Sequence, residues 1–189
     1  MNLNILIVGV GGQGTLLASR VLGNYAEQKN LDCKLSEVHG MAQRGGSVVT
    51  HVKMGDKIYS PIISEKEADV ILAFEKLEAA RYLSYLKDGG SVVVNIQEIM
   101  PMPVVTGQSK YPDDLEKIIS QFTKNVIYIN ALKIANDSGS IKALNVVMLG
   151  VLCKNLNLDV VCFKEALKNT IPQKALELNL VAFEKGYKG

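Results

Sequence analysis

The chain has 189 residues, of which 48% are hydrophobic and 21% charged, and these fractions are close to those of soluble globular proteins. Extended disorder and fibrous repeats are therefore disfavoured, and the length favours one compact domain over residues 1–189. Aromatic residues make up only 6%, there is no Trp, and the formal net charge is +2, a balance that argues against a nucleic-acid binder with a basic, aromatic face.

The first third of the chain is predicted to open with a strand, a glycine turn and a helix. The apolar, β-branched run at residues 3–8 is typical of a buried central strand, and apolar residues at helical spacing then predict a helix over residues 15–29. Further strands are expected at residues 33–38 and 47–54. A glycine–aspartate turn then predicts a hairpin into a short strand at residues 57–60.

The remaining elements are predicted to alternate and then to become helical. Strands are expected at residues 69–74, 91–95 and 126–129, and helices at 75–87, 113–122, 141–155, 163–169 and 172–185. Gly150, inside an apolar helical stripe, predicts close packing between helices. The order indicates an α/β fold with a Rossmann-like open, mostly parallel sheet, an inserted β-hairpin and a helical C-terminal third.

The cysteines are too far apart to assemble a metal site locally. Cys33, Cys153 and Cys162 form no C-x-x-C pair, so neither an iron–sulfur cluster nor a structural zinc site is expected on this chain. No apolar run approaches the ~20 residues that span a bilayer, and the beginning of the chain lacks the features of a signal peptide. We therefore expect free thiols in the cytoplasm, without membrane contact.

A glycine turn follows the first predicted strand. Gly9, Gly11 and Gly14, with Gly12 and Gln13 between them, match G-x-G-x-x-G at the start of a helix. Such a turn lets the backbone approach another group, and the N–H groups at the helix start favour an anion. Three interpretations stay open at this point: binding of NAD or FAD, binding of a phosphate or other anion, and close packing of the helix on the strand.

A second group of candidate residues lies between the second and third predicted strands. Ligands of open α/β sheets bind at the carboxyl ends of the strands, so we expect a site here. His39 could act as an acid or base, and Arg44 could clamp a carboxylate or phosphate. His51 is expected at the sheet surface with no role. The candidates are Glu37, His39, Gln43, Arg44, Gly45 and Gly46.

The chain lacks a self-sufficient catalytic apparatus. No Ser-His-Asp order, pair of catalytic carboxylates or activated Cys is evident, and there are only two histidines. No residue can be assigned a catalytic role. The composition is therefore more typical of a binding or partner subunit than of a complete enzyme.

Five blocks of the sequence form a familiar pattern, at residues 9–14, 36–49, 74–83, 143–150 and 177–183. The block His-Gly-Met-Ala-Gln-Arg-Gly-Gly at 39–46 is specific, whereas the glycine turn alone is not. Together the blocks resemble the gamma-type subunit of 2-oxoacid:ferredoxin oxidoreductases over nearly the whole chain. Within that family the likeness is to the small (beta) subunit of the enzymes that act on indolepyruvate.

The resemblance implies a heteromeric enzyme that oxidatively decarboxylates arylpyruvates such as indolepyruvate to the acyl-CoA and passes electrons to ferredoxin. In that family thiamine diphosphate and the [4Fe–4S] clusters are carried by a large partner subunit. The gamma-type domain is associated with the coenzyme A end of the site. By this resemblance, residues 11–14 would form a backbone cradle, and Glu37, His39, Gln43 and Arg44 would line the cleft or seal it against the partner.

Three alternatives remain open from the sequence. The chain could serve a sister enzyme that acts on pyruvate, 2-ketoisovalerate or 2-oxoglutarate. It could be a free-standing Rossmann-type protein that binds NAD(P) or a flavin. It could also be a stand-alone regulatory or scaffold protein derived from the subunit.

Overall fold

A computed structural model describes residues 2–40 and 45–189 of the chain. Its centre is a six-stranded sheet with the strand order β2-β3-β1-β4-β5-β6. Neighbours β1, β4, β5 and β6 are parallel, whereas β3 is antiparallel to both β1 and β2. Five strands thus share one direction, which confirms the mostly parallel sheet. The strands are β1 (Leu3–Val10), β2 (Asp32–His39), β3 (Ser47–Gly55), β4 (Ala68–Ala73), β5 (Leu86–Asn95) and β6 (Val126–Ile129).

Helices cover both faces of the sheet and dominate the C-terminal third, as predicted. Single 3₁₀ turns lie at Leu83–Tyr85 and Ile141–Ala143. None of the helices in the described part of the chain is long and apolar enough to cross a membrane. The helices are α1 (Thr15–Gln28), α2 (Lys76–Arg81), α3 (Met102–Val105), α4 (Leu115–Phe122), α5 (Ala131–Asn136), α6 (Leu144–Asn155), α7 (Val160–Thr170) and α8 (Gln173–Lys188).

The apolar core is divided by the sheet because successive strand residues face opposite sides. Ile5 and Ile7 of β1 belong to the larger cluster, which includes buried residues of α1, α6, α7 and α8. Leu6 and Val8 belong to the smaller cluster, which includes Ile119 of α4. All four side chains are fully buried, so β1 is the central strand that its continuous apolar run predicts.

Helices α6 and α8 pack at backbone distance, as Gly150 predicts. A Cβ at Gly150 would lie 2.3 Å from the Phe183 carbonyl oxygen, and one at Gly186 would lie 2.2 Å from that of Val147. Each helix therefore presents a glycine to the backbone of the other. This contact holds α6 in the core, where ten of its residues are buried.

Several predictions of local structure are wrong. The segment 57–60 forms no strand, because β3 already has β2 and β1 as its two ladder partners; the backbone N–H of Ile58 instead donates to Asp32 Oδ2 at 2.8 Å. The helix predicted over 75–87 ends at Arg81, and the two glycines expected to terminate it lie within β5. His51 is buried, and its Nδ1 accepts a hydrogen bond from the Ile63 N–H at 3.2 Å.

Candidate functional site

The glycine turn lies at the carboxyl edge of the sheet, between β1 and α1. Gly12 has φ +106° and Gly14 has φ +86°, a region that residues with a Cβ rarely adopt. Gly9 allows β1 to approach the end of β4, since a Cβ there would lie 3.0 Å from Phe74 Cβ. No atom lies within 4 Å of a Cβ built at Gly12 among the described residues, so this part of the backbone is open to a ligand.

The side chain of Gln13 holds the turn in place. Its Oε1 accepts from the Val10 N–H at 2.8 Å, and its Nε2 donates to the Phe74 carbonyl oxygen at 2.9 Å and to Gln97 Oε1 at 3.2 Å. These bonds connect the ends of β1 and β4 to the segment after β5. Gln13 therefore lies at the predicted cradle, with its amide engaged in building it.

The two groups of candidate residues meet directly. The Gly11 N–H donates to the Gly46 carbonyl oxygen at 2.8 Å, and the Gly45 N–H donates to the Gly11 carbonyl oxygen at 3.3 Å. The glycine turn and the segment that leads into β3 are thus joined by backbone hydrogen bonds. Gln43 and Arg44, which the sequence places in the same site, lie outside the described residues.

Glu37 and His39 line a cleft of about 520 Å³ with the glycine turn and Val48, which we call the β2-side cleft. Thr50 Oγ1 donates to Glu37 Oε2 at 3.2 Å, and His39 is exposed with Nδ1 3.0 Å from the carbonyl oxygen of Gly40. Strand β3 lies between β2 and β1, which puts Glu37 two strand spacings, roughly 10 Å, from β1. A dinucleotide fold instead places its ribose-binding acid on the strand beside β1.

A second cavity, of about 370 Å³, lies on the other side of β1. Its walls are mostly apolar and include Leu77, Ile99 and Met102 together with Gly45 and Gly46 of the candidate site. We call it the apolar cavity. It and the β2-side cleft share the carboxyl edge of β1, so both adjoin the glycine turn.

Two buried carboxylates, Glu75 at the N-cap of α2 and Glu78 within it, were missed by the sequence reasoning and lie beside the apolar cavity. Glu78 accepts a hydrogen bond from Ser47 Oγ at 2.5 Å and pairs with Arg81 Nε at 3.1 Å. Burial raises the pKa of this carboxyl above its ordinary value.

Glu75 accepts hydrogen bonds from the Ile99 N–H at 3.0 Å and from the Tyr111 hydroxyl at 2.6 Å. Burial, and then the bond to Glu75, raise the pKa of Tyr111. In the sequence, these two acids were noted only as part of the block at residues 74–83 that carries the family resemblance.

The cysteines are separate and buried or half-buried. Burial raises the pKa of the Cys33 thiol to about 11 and that of Cys153 to about 12, so both are protonated at neutral pH. Over the described ranges, no group of three or more His, Cys, Asp or Glu side chains could hold a metal ion. Cys153 belongs to the larger apolar cluster, and Cys33 and Cys162 pack against it.

Comparison of the sequence with known proteins identifies the family of this chain. The family described as pyruvate ferredoxin/flavodoxin oxidoreductase matches residues 4–189. The chain is 42% identical to the indolepyruvate oxidoreductase subunit IorB of Archaeoglobus fulgidus, over 99% of this chain and 94% of that protein. It is 28% identical to the 2-oxoglutarate synthase subunit KorC of Methanothermobacter marburgensis, over 98% of this chain and 95% of that protein.

Solved structures share the fold at lower identity. The gamma subunit of a keto/oxoacid ferredoxin oxidoreductase from Geobacter sulfurreducens has a TM-score of 0.73 at 22% identity, covering 98% of this chain and 96% of that one. A 2-oxoglutarate:ferredoxin oxidoreductase from Magnetococcus marinus, with 2-oxoglutarate, coenzyme A and succinyl-CoA bound, has a TM-score of 0.75 at 21% identity, covering 99% of this chain and 30% of that one. Since the likeness in sequence to the IorB subunit spans nearly both chains, this chain belongs to the pyruvate ferredoxin/flavodoxin oxidoreductase family, in the group that contains the IorB subunits.

Proposed function

We propose that this chain is the small subunit of an indolepyruvate:ferredoxin oxidoreductase. The complex oxidatively decarboxylates indolepyruvate and related arylpyruvates to the acyl-CoA and passes the electrons to ferredoxin. The observation that carries this proposal is the identity to IorB over nearly the full length of both proteins. The lower identity to KorC makes 2-oxoglutarate the weaker choice of substrate.

The proposal assigns the redox cofactors to a large partner subunit. Thiamine diphosphate and [4Fe–4S] clusters need, respectively, their own binding fold and groups of cysteine thiolates. This chain has three cysteines in all, and they are separated and committed to packing. The small subunit acts in the cytoplasm as one domain over residues 1–189 and is inactive without its partner.

Coenzyme A is the ligand that we assign to the glycine turn. The residues fit such a group, since Gly12 leaves the backbone open and the start of α1 has no side-chain cap, which favours a phosphate. Coenzyme A supplies the thiol that accepts the acyl group. The described residues of this chain bind and orient it, while Glu37 and His39 line the cleft or close it against the partner, together with Gln43 and Arg44.

A free-standing NAD(P)- or flavin-binding protein is the alternative that the strand order disfavours. Glu37 lies on a strand that is separated from β1 by β3, and its carboxylate already accepts a bond from Thr50. The acid that a dinucleotide ribose requires is therefore displaced from its usual place.

Co-expression with the large subunit tests the proposal. We expect the two chains to co-purify and the complex to reduce ferredoxin with indolepyruvate and coenzyme A, with a higher kcat/KM than with pyruvate, 2-ketoisovalerate or 2-oxoglutarate. The isolated small chain serves as the inactive control. A complex that prefers one of the other three substrates would assign the chain to a sister enzyme, and a chain that purifies alone with a nicotinamide or flavin would refute the proposal.

A further inference from the structure

Asn95 is a buried amide at the carboxyl end of β5. It is the last residue of the strand, and its side chain is fully buried. Its Oδ1 accepts a hydrogen bond from the backbone N–H of Ala131 at 3.0 Å, a donor at the start of α5 that has no acceptor within its own helix. Its Nδ2 donates to the Phe74 carbonyl oxygen at 3.0 Å and to Gln97 Oε1 at 3.4 Å. Both hydrogens of the amide are therefore engaged.

Asn95 and Gln13 donate to the same two oxygens. Like Asn95 Nδ2, Gln13 Nε2 donates to the Phe74 carbonyl oxygen, at 2.9 Å, and to Gln97 Oε1, at 3.2 Å. We call this arrangement of two NH2 groups and two oxygens the amide cluster; its members are Gln13, Asn95, Gln97 and the Phe74 carbonyl. Because the two donors share both acceptors, the position of each one depends on the other.

The backbone fixes the orientation of both donor amides. Gln13 Oε1 accepts from the Val10 N–H. Asn95 Oδ1 accepts from the Ala131 N–H, while both side-chain nitrogens face the Phe74 carbonyl oxygen. Exchange of O and N in either amide would bring two acceptors together at one end and two donors together at the other. The cluster therefore joins the end of β1 to the start of α5 in one arrangement.

The cluster also reaches the surface of the glycine turn. Gln97 is half-buried and lines a cleft with Gly12, Gln13 and Gly14 of the turn and with Leu144 of α6. The buried amide of Asn95 is thus one hydrogen bond away from a side chain that borders the open backbone of the turn. A change at Asn95 is transmitted to that backbone through Gln97 and Gln13.

A glycine turn gains from such support because glycine has more backbone freedom to lose than any other residue. Gly12 and Gly14 have φ values of +106° and +86°, and Gln13 lies between them with its amide in the cluster. A turn that is ordered before its ligand arrives binds that ligand more tightly, because the loss of backbone freedom no longer opposes binding. The cluster supplies that order in advance.

We propose that Asn95 is a positioning residue of the coenzyme A site. Since its side chain is fully buried, Asn95 does not contact the ligand; it acts through Gln13 and Gln97 and raises the affinity of the glycine turn for coenzyme A by ordering the turn. This inference rests on the proposed function, which assigns coenzyme A to the turn, and adds to it the residue that orders the turn before binding. It gives Asn95 no chemical step.

The test measures coenzyme A binding by the complex of this chain with its large subunit. Isothermal titration without 2-oxoacid should give a roughly tenfold higher Kd for Asn95→Ala than for the unchanged complex, because the cluster loses one of its two donors. Asn95→Thr is the milder variant, since its hydroxyl can still donate one hydrogen bond, and its Kd should lie between the two. Circular dichroism identifies the variants that fold, and Asn95→Thr carries the test if Asn95→Ala does not.

Asn155→Ala is the matched control. Asn155 is the half-buried last residue of α6, and its Nδ2 donates to Ser91 Oγ at 2.8 Å. This bond also joins an amide to β5, but it lies toward the amino end of that strand, away from the glycine turn. Asn155→Ala should therefore bind coenzyme A as the unchanged complex does.

A double-mutant cycle with Gln13 distinguishes positioning from general support of the fold. Gln13→Met removes the other donor amide and keeps a long unbranched side chain. Because Asn95 acts on the turn through the cluster, Asn95→Ala should raise the Kd by a smaller factor in the Gln13→Met background than on its own. In steady-state assays Asn95→Ala should raise the KM for coenzyme A and leave the KM for indolepyruvate unchanged.

The failures of the two proposals are distinguishable. A complex that turns over indolepyruvate but binds coenzyme A equally well with and without the Asn95 amide, or binds it too weakly to measure, would overturn the inference and leave the proposed function standing. An equal loss of affinity in Asn155→Ala, or the same factor for Asn95→Ala in both backgrounds of the cycle, would also overturn it. A complex that binds coenzyme A but does not use indolepyruvate would refute the proposed function, and the Kd values of the variants would still decide the role of Asn95.

Discussion

At the scale of single residues, Gly14 and Asn145 connect the beginning of the chain to its last third. Gly14 has a left-handed backbone conformation, and a Cβ there would lie 2.5 Å from Asn145 Nδ2. The absence of a side chain at residue 14 thus serves both the backbone conformation and the approach of α6. Substitution of Gly14 should therefore lower the free energy of unfolding in two ways, through the backbone conformation and through the contact with Asn145.

Gly14→Ala should destabilise the protein more than Gly107→Ala. Gly107 also has a positive φ, of +76°, but no atom within 4 Å of a Cβ built there in the described structure, so its substitution should cost only the backbone term of about 1–2 kcal/mol. Gly14→Ala adds the clash with Asn145, and we expect a further loss of roughly 1–3 kcal/mol. Chemical denaturation measures both. Equal losses would show that Asn145 moves aside without cost.

Glu78 gives a pH dependence that can be assigned to one group. Burial raises its pKa above the ordinary value of 4.5, so the folded state binds a proton that the unfolded state releases. The stability that the protonated form contributes is complete below pH 4.5 and is lost as the pH rises through the folded-state pKa. Unfolding free energies from pH 4 upward should therefore fall less steeply in Glu78→Gln than in the unchanged protein. Parallel curves would contradict the assignment.

How much of the site can be predicted depends on sequence distance. The glycine turn is a local motif, and its place between β1 and α1 follows from residues 3–29 alone. Glu37 and His39 could be placed at the correct edge because strands of one direction end on the same side. Asn145 reaches the turn only through the packing of α6, and no local pattern predicts that contact. Its role therefore had to come from the structure.

At the scale of elements, the pairing of α6 with α8 depends on two glycines that face the opposite backbone. Gly150→Ala would place a Cβ 2.3 Å from the Phe183 carbonyl oxygen, so the helices must separate. We expect a loss of stability of roughly 2–4 kcal/mol, measured by thermal or chemical denaturation.

Gly23→Ala is the matched control for this effect. Gly23 also lies inside a helix, α1, but its added Cβ would meet Leu35 Cδ1 at 3.5 Å, an ordinary contact. Alanine is the better helix former by about 0.5–1 kcal/mol, so this variant should be unchanged or more stable. Opposite signs for the two substitutions are the expected result, and a neutral Gly150→Ala would show that α8 can shift freely.

The predicted elements were most accurate where an apolar run is bounded by polar residues, as β6 is by Asn125 and Asn130. Strand β6 has the predicted bounds, whereas α5, with only six residues, carries too short a pattern to be recognised. The strand predicted at 57–60 was wrong because ladder partners are chosen by the whole sheet. Strand β3 pairs with β2 and β1 at once, and this long-range arrangement leaves no place for a following hairpin strand.

At the scale of the whole molecule, the thiols report whether the core is closed. Cys153 is fully buried and its pKa is raised to about 12, so iodoacetamide at pH 8 should modify it only when the molecule opens. Its modification rate should rise with denaturant in parallel with the loss of circular dichroism. The half-buried Cys162 is the internal control and should react first. Rapid modification of Cys153 in the folded protein would mean that the α6 region opens on its own.

The amide of Gln13 has a mechanical consequence for the molecule. It joins the ends of β1 and β4 to Gln97, two residues past β5. Movement of the glycine turn would therefore have to stretch or break bonds to the ends of β1 and β4 and to Gln97 at the middle of the sheet. Gln97 lies two residues before Ile99, which lines the apolar cavity. The turn beside the β2-side cleft and the wall of the apolar cavity are thus joined by one side-chain amide.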